Sequence, residues 1–299
     1  PGNGGGLHVT GTGDVNIFGG TVIGNTAAEE GGGLWNGGGT MIIDRTLIDG
    51  NLASGDGSDQ GGGGIFNNGG IVDIDNVTIS GNLADGTFGS GGGIQNVGGS
   101  ITIDNSLIDG NTSTRAGGGI EDNAGTGIDI TDSVIRNNDA GNNPGNGGGI
   151  HISGAGLVTI DGSTIHDNTA VEGGGLWNSG TGTFTLTNTT ISGNTATGSD
   201  GGGIFNTDGG TVITDSVTVT LNDAATGIGS GIAGGTGGVT IENTIVAQNP
   251  GSGTEENLSG SINSNDFNLI GDADDGTLTG LTVNTIFDGN ALLLPLLNN

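Results

Sequence analysis

A chain of 299 residues with 72 glycines and 12% charged residues is not an ordinary globular composition, and its formal charge of −29 sets 32 acids against Arg45, Arg115 and Arg136 alone. Nucleic acid is excluded as a partner, because affinity for it comes from cations that neutralise phosphates, and an anionic membrane surface is disfavoured for the same reason. The absence of cysteine excludes a disulfide scaffold and thiolate chemistry, and no apolar run approaches the roughly 18 residues of a bilayer-spanning helix, so no membrane insertion by this segment is expected.

From its first residues the chain repeats itself. Glycine triplets start at Gly4, Gly31, Gly62, Gly91, Gly117, Gly147, Gly173 and Gly201, and an eroded ninth start stands at Gly229, so successive intact starts lie 26 to 31 residues apart. That period is in the range of solenoids, in which each unit buries its apolar face only against its neighbours. Collagen is excluded by four prolines and no G-X-Y period. Within one repeat, Gly62 to Asn82, three short apolar pieces alternate with period 2 around Ile65, Val72 with Ile74, and Val77 with Ile79. The fold class expected is therefore all-β, a right-handed single-stranded parallel β-helix with three strands per coil and about nine coils of about 28 residues.

Three aliphatic columns run down the repeats. The first is Leu7, Leu34, Ile65, Ile94, Ile120, Ile150, Leu176 and Ile204; the second is Ile17, Ile43, Ile74, Ile103, Ile130, Ile160, Leu186 and Ile241; the third is Val22, Ile48, Ile79, Ile108, Ile135, Ile165, Ile191, Val219 and Val246. The eighth repeat breaks the second column at Thr214, which suggests a one-residue slip and a bulge. Three residues after the third column stands an asparagine in every repeat: Asn25, Asn51, Asn82, Asn111, Asn138, Asn168, Asn194, Asn222 and Asn249. An inward asparagine at a turn bonds its own turn and the asparagine one coil away, so this row is expected to be a structural ladder, each member worth about 1–3 kcal/mol.

A longer period overlies the short one. Pro1-Gly2-Asn3 through Leu7-His8 is answered by Pro144-Gly145-Asn146 through Ile150-His151, Leu34-Trp35-Asn36 by Leu176-Trp177-Asn178, and Ile65-Phe66-Asn67 by Ile204-Phe205-Asn206, a five-coil block duplicated at about 143 residues. The middle position of the glycine-led strand carries His8, Trp35, Phe66, Gln95, Glu121, His151, Trp177 and Phe205. Period 2 points this row away from the core, so it is expected to be an exposed interaction row, unless the loops fold over it. Glu121 and His151, on adjacent coils, are expected to pair.

Other acids recur at fixed positions in the repeat. The outward column of the middle strand is Asn16, Ile42, Asp73, Thr102, Asp129, Thr159, Thr185, Ile213 and Thr240, without a cation to hold a sugar acid. Asp73 and Asp129, two coils and about 9.5 Å apart, lack the partner groups of a hydrolase. Asp44, Asp75, Asp104, Asp161 and Glu242 stack at the following turn, where Asx capping is the plainer reading than cation binding. Calcium has weak candidates in Asp272, Asp274 and Asp275 before Gly276. Residues 1–249 are thus read as the helix and 250–299 as an irregular closing or assembly segment carrying the Leu292 to Leu297 run.

At the GGG[IL]xN and IxxN signatures the chain resembles bacterial secreted and surface right-handed parallel β-helix repeat proteins, of pectate-lyase-like architecture and similar to the polymorphic outer-membrane-protein type of repeat. The stretch from Asn243-Thr244-Ile245-Val246-Ala247 to Pro295-Leu296-Leu297 is similar to the tail of large secreted proteins of this kind. The resemblance implies an extracellular or cell-surface location, and the chain, beginning at Pro1 without a signal peptide, is read as a mature or excised piece. The function expected is a non-catalytic structural or adhesive solenoid, self-associating end to end into a fibre, with a glycan or a host or neighbour cell surface as a further partner. A polysaccharide lyase or hydrolase, or a carbohydrate-binding module using the aromatic row, is the alternative.

Overall fold

The computed structural model describes residues 1–57, 60–236, 238–251, 256–271 and 276–287. Every strand pairing among them is parallel and links one repeat to the next, so the chain is a parallel β-solenoid. The first sheet stacks ten strands from Leu7–Val9 to Leu258–Ser259, the second eleven from Val15–Phe18 to Thr277–Leu281, and the third eleven from Thr21–Ile23 to Ile286–Phe287. Their inward side chains form one continuous core running the length of the stack, in which Ile43, Ile65, Ile79, Ile108 and Ile160 are fully buried. β-Branched residues fit this arrangement because identical side chains from successive coils nest on one pleated surface.

A fourth sheet was not foreseen. Eight two-residue strands, from Thr26–Ala27 to Asp223–Ala224, follow the asparagines directly. Their inward column is Ala27, Ala53, Ala84, Ser113, Ala140, Ala170, Ala196 and Ala224, all nearly inaccessible to solvent. Small side chains are required there because the glycine triplet of the same coil passes directly behind them. The first glycine of each triplet is left-handed, as at Gly62 (φ 63°), and a Cβ on the second, Gly63, would collide with the carbonyl of Gly92 and the backbone of Leu83.

The slip expected at Thr214 is absent. Thr214 pairs in register with Leu186 on one side and Ile241 on the other, and is fully buried in the second column. Threonine has the shape of valine, and its hydroxyl meets that of Thr244 at 2.9 Å, so the column tolerates it without a bulge. The three main sheets also run on past Pro250: Leu258–Ser259, Ser261–Asn265 and Leu269–Ile270 add a tenth rung, and Thr277–Leu281 with Ile286–Phe287 extends two of the sheets further. The Leu292 to Leu297 run lies outside the described residues.

Candidate functional site

The glycine-led strand brings the predicted row together. His8, Trp35, Phe66, Gln95, Glu121, His151, Trp177 and Phe205 occupy equivalent positions on eight consecutive rungs. Two aromatic stacks result, His8–Trp35–Phe66 with ring centroids 4.3 and 6.4 Å apart, and His151–Trp177–Phe205 at 4.5 and 6.1 Å. The row is not the exposed surface that alternation implies, however. His8 is exposed and Trp177 and Phe205 are half-buried, whereas Trp35, Phe66, Gln95, Glu121 and His151 are all buried. The left-handed first glycine folds the incoming loop back against the row, so that Gly31 lies on Trp35, Gly91 on Gln95 and Gly147 on His151. Residues just before the triplets then cap the rings: Trp35 Nε1 donates to Glu30 at 2.9 Å and Trp177 Nε1 to Glu172 at 2.7 Å.

The centre of the row is charged. Glu121 sits 2.5 Å from Nδ1 of His151, accepts from Ser153 Oγ at 2.7 Å, and pairs with Arg115 Nη2 at 3.2 Å, while Arg115 Nε donates to Ser90 Oγ at 2.8 Å. Burial pushes the Glu121 carboxyl up, but His151, Arg115 and the Ser153 hydroxyl together hold it below its ordinary value. The pair expected from adjacency therefore forms, inside the protein. Its carboxylate is occupied by internal partners, an arrangement that locks loop to strand.

The asparagine ladder is continuous. In each coil Nδ2 donates to Oδ1 of the next asparagine, from Asn25 through Asn51, Asn82, Asn111, Asn138, Asn168, Asn194, Asn222 and Asn249 to Asn257, at 2.9 to 3.1 Å. The same Oδ1 accepts the backbone N–H of the preceding coil's asparagine, and the remaining Nδ2 hydrogen goes to a carbonyl of that coil, as from Asn138 to Ile108.

A second ladder escaped the sequence reading. Asn36, Asn67 and Asn96, two residues after the first column, donate Nδ2 to the next Oδ1 and to the carbonyl three residues on, and Asn96 ends on Asp122 Oδ1 at 2.8 Å. Ile152 stands on the next rung, opposite Asp122. The ladder resumes with Asn178 and Asn206. This polarity explains two buried acceptors without partners: Asn36 Oδ1 and Asn178 Oδ1 each follow a coil whose equivalent residue, Val9 or Ile152, has no donor.

Asp122 is the misfit of this ladder. Its Oδ2 takes the place an amide nitrogen fills in the coils before it, buried and without a partner. Burial, and to a lesser degree the neighbouring Glu121 carboxylate, pushes the Asp122 carboxyl up from 3.8 to about 6. Folding thus takes up a proton between those values, so the stability Asp122 contributes is present below 3.8 and lost as pH rises through about 6. Asp122→Asn restores a donor at Oδ2 and is expected to stabilise the protein by about 2–3 kcal/mol at pH 7.5 and by nearly nothing at pH 3.5. Urea midpoints at the two pH values measure this; equal effects at both would sink it.

No family model matches the chain, and neither the curated proteins nor the solved structures searched yield a match.

The remaining candidates stay apart. Asp73 and Asp129 share a column with Thr102 between them. The turn acids do align, with Asp44, Asp75 and Asp104 on adjacent rungs, and several have partners of their own: Thr131 Oγ1 donates to Asp104 at 2.7 Å, Asn188 to Asp161 at 3.0 Å, and Arg45 pairs with Asp44 at 2.8 Å. Among the described residues no group of three or more His, Cys, Asp or Glu side chains is placed to hold a metal. Asp272, Asp274 and Asp275 lie outside the described residues.

Proposed function

We propose that the chain is a non-catalytic structural or adhesive solenoid, working outside the cell as a rigid spacer or contact surface. The observation that carries this reading is the unbroken asparagine ladder from Asn25 to Asn257, buried from Asn51 onward, which commits a polar side chain of every coil to holding the next coil in place. Ten rungs at the spacing of paired strands give a rod about 45–50 Å long. The surface location rests on the likeness of the repeat signatures to bacterial secreted β-helix proteins of pectate-lyase-like architecture.

End-to-end assembly belongs to the same proposal. The strands Leu7–Val9, Val15–Phe18 and Thr21–Ile23 pair on one side only in this chain, and their inward Leu7, Val9, Ile17 and Val22 are only partly buried. An open strand edge of this kind accepts another coil, and a head-to-tail contact that does not close propagates as a fibre. Sedimentation velocity and electron microscopy of the 299-residue chain are expected to show filaments that lengthen with concentration and shorten in Val22→Lys. Monodisperse monomers at high concentration would refute assembly. Release of reducing ends or unsaturated products from polysaccharides would refute the non-catalytic reading.

A further inference from the structure

The two duplicated blocks carry the same aromatic stack but close it differently. In the first, the rung after Phe66 is Gln95, and Phe66 is 2% exposed. In the second, the rung after Phe205 is Ala233, and Phe205 is half-buried. Where a long side chain covers the first stack, a methyl group leaves the far side of Phe205 open to a cleft of about 680 Å3. Gly234, Gly235 and Gly260 line it as well, and supply no side chains to fill it.

The acids at this cleft also distinguish the blocks. Ile65-Phe66-Asn67-Asn68-Gly69-Gly70 corresponds to Ile204-Phe205-Asn206-Thr207-Asp208-Gly209-Gly210, one residue longer, and the longer turn brings an exposed aspartate to the rim. Asp200, immediately before its glycine triplet, stands where the first block has Gly61. Both line the cleft, and each uses one carboxylate oxygen internally: Asp200 Oδ1 accepts from the Ile228 N–H at 2.9 Å, and Asp208 Oδ1 from Thr236 N–H and Oγ1 at 2.7 and 3.0 Å. The three arginines are each paired elsewhere, with Asp44, Glu121 and Asp109.

We infer that this cleft is a binding site for an organic cation, an ammonium or guanidinium group on an alkyl stem. The stem packs against Phe205 and the glycine backbone, and the charge lies between the aromatic face and the two carboxylates, the pairing that favours cations over neutral guests. The net charge of −29 raises the local concentration of such a guest and repels anionic ones. Asn206 of the second ladder also lines the cleft, but Asp200, Phe205 and Asp208, the groups assigned to the guest, belong to neither ladder, so the site stands or falls independently of the scaffold role.

The test is a titration of the 299-residue chain at low salt, followed by calorimetry and by the fluorescence of Trp177, which stacks on Phe205. Spermidine represents a free amine, a short arginine-containing peptide a basic side chain, and a neutral oligosaccharide the competing chemistry. Saturable one-to-one binding of a cation is expected, and which of the two cations binds tighter separates the two sources. Ala233→Gln rebuilds the cover of the first block and is expected to weaken binding about tenfold, as is Phe205→Ala, with Asp208→Asn weakening it severalfold. Asp208 is exposed, so its variant decides the matter if Ala233→Gln does not fold. Cation binding unchanged in Asp208→Asn and Phe205→Ala would mark diffuse attraction to an acidic surface and overturn the site. So would the absence of saturable binding, or binding of the neutral oligosaccharide alone.

Discussion

Asn138→Ala is expected to destabilise the solenoid by about 3–5 kcal/mol, more than the loss of one hydrogen bond. Asn138 Oδ1 accepts both the backbone N–H and the side-chain Nδ2 of Asn111, and its own Nδ2 donates to Ile108 O and Asn168 Oδ1. Alanine leaves these buried groups short of partners at once, and each orphaned group costs about 1–3 kcal/mol. Asn138→Asp is a sharper probe. It keeps the acceptor for Asn111 but sets a second oxygen against Ile108 O and Asn168 Oδ1, so its cost falls as acid protonates it, as it does at the natural Asp122. Urea denaturation of both variants at pH 4 and pH 7 measures the difference. A cost below 1 kcal/mol for Asn138→Ala would show the ladder to be a by-product of the coil rather than a support of it.

Glu121→Gln is expected to cost a similar amount, about 3–5 kcal/mol at neutral pH, because removing one member of a buried ionic cluster strands the others. Arg115 loses its counter-charge and His151 its 2.5 Å partner, and the link that Arg115 makes between Ser90 of the coil before and the row loses its anchor. The pH dependence runs opposite to that of Asp122. The Glu121 carboxyl is held below its ordinary value of 4.5 in the fold. Its contribution is therefore present above 4.5 and lost as pH falls through the lowered folded value, so the gap between wild type and Glu121→Gln narrows in acid. Neighbouring residues on one strand thus give opposite profiles, since Glu121 faces Arg115 and His151 across the row and Asp122 faces the ladder inside. A gap between wild type and Glu121→Gln that widens in acid would refute the assignment.

What was legible in the sequence was whatever repeats from coil to coil. The aliphatic columns and the asparagine after the third strand determined the solenoid, because in a stack of coils each residue's main partner is its own equivalent one repeat away. Thr214 breaks the column in hydropathy alone; only the structure supplies Thr244 as the partner that lets a hydroxyl stay there. The two-residue fourth strand was written as Asn-x-Ala in nearly every repeat, yet alanine carries no strand signal, and its burial depends on the glycine turn behind it. The second ladder was present in the GGG[IL]xN signature, interrupted by Asp122 and Ile152.

Alternation correctly placed Trp35, Phe66 and Glu121 on the side away from the core, but parity says nothing about what lies beyond that side. The path of the returning loop decides it, through the left-handed glycines and the contacts of Glu30, Ser90, Arg115 and Glu172. The same limit applies to the cleft: the change from Gln95 to Ala233 is plain in the sequence, whereas the open face of Phe205 between Asp200 and Asp208 exists only once four coils are stacked, because no single coil contains both its floor and its walls.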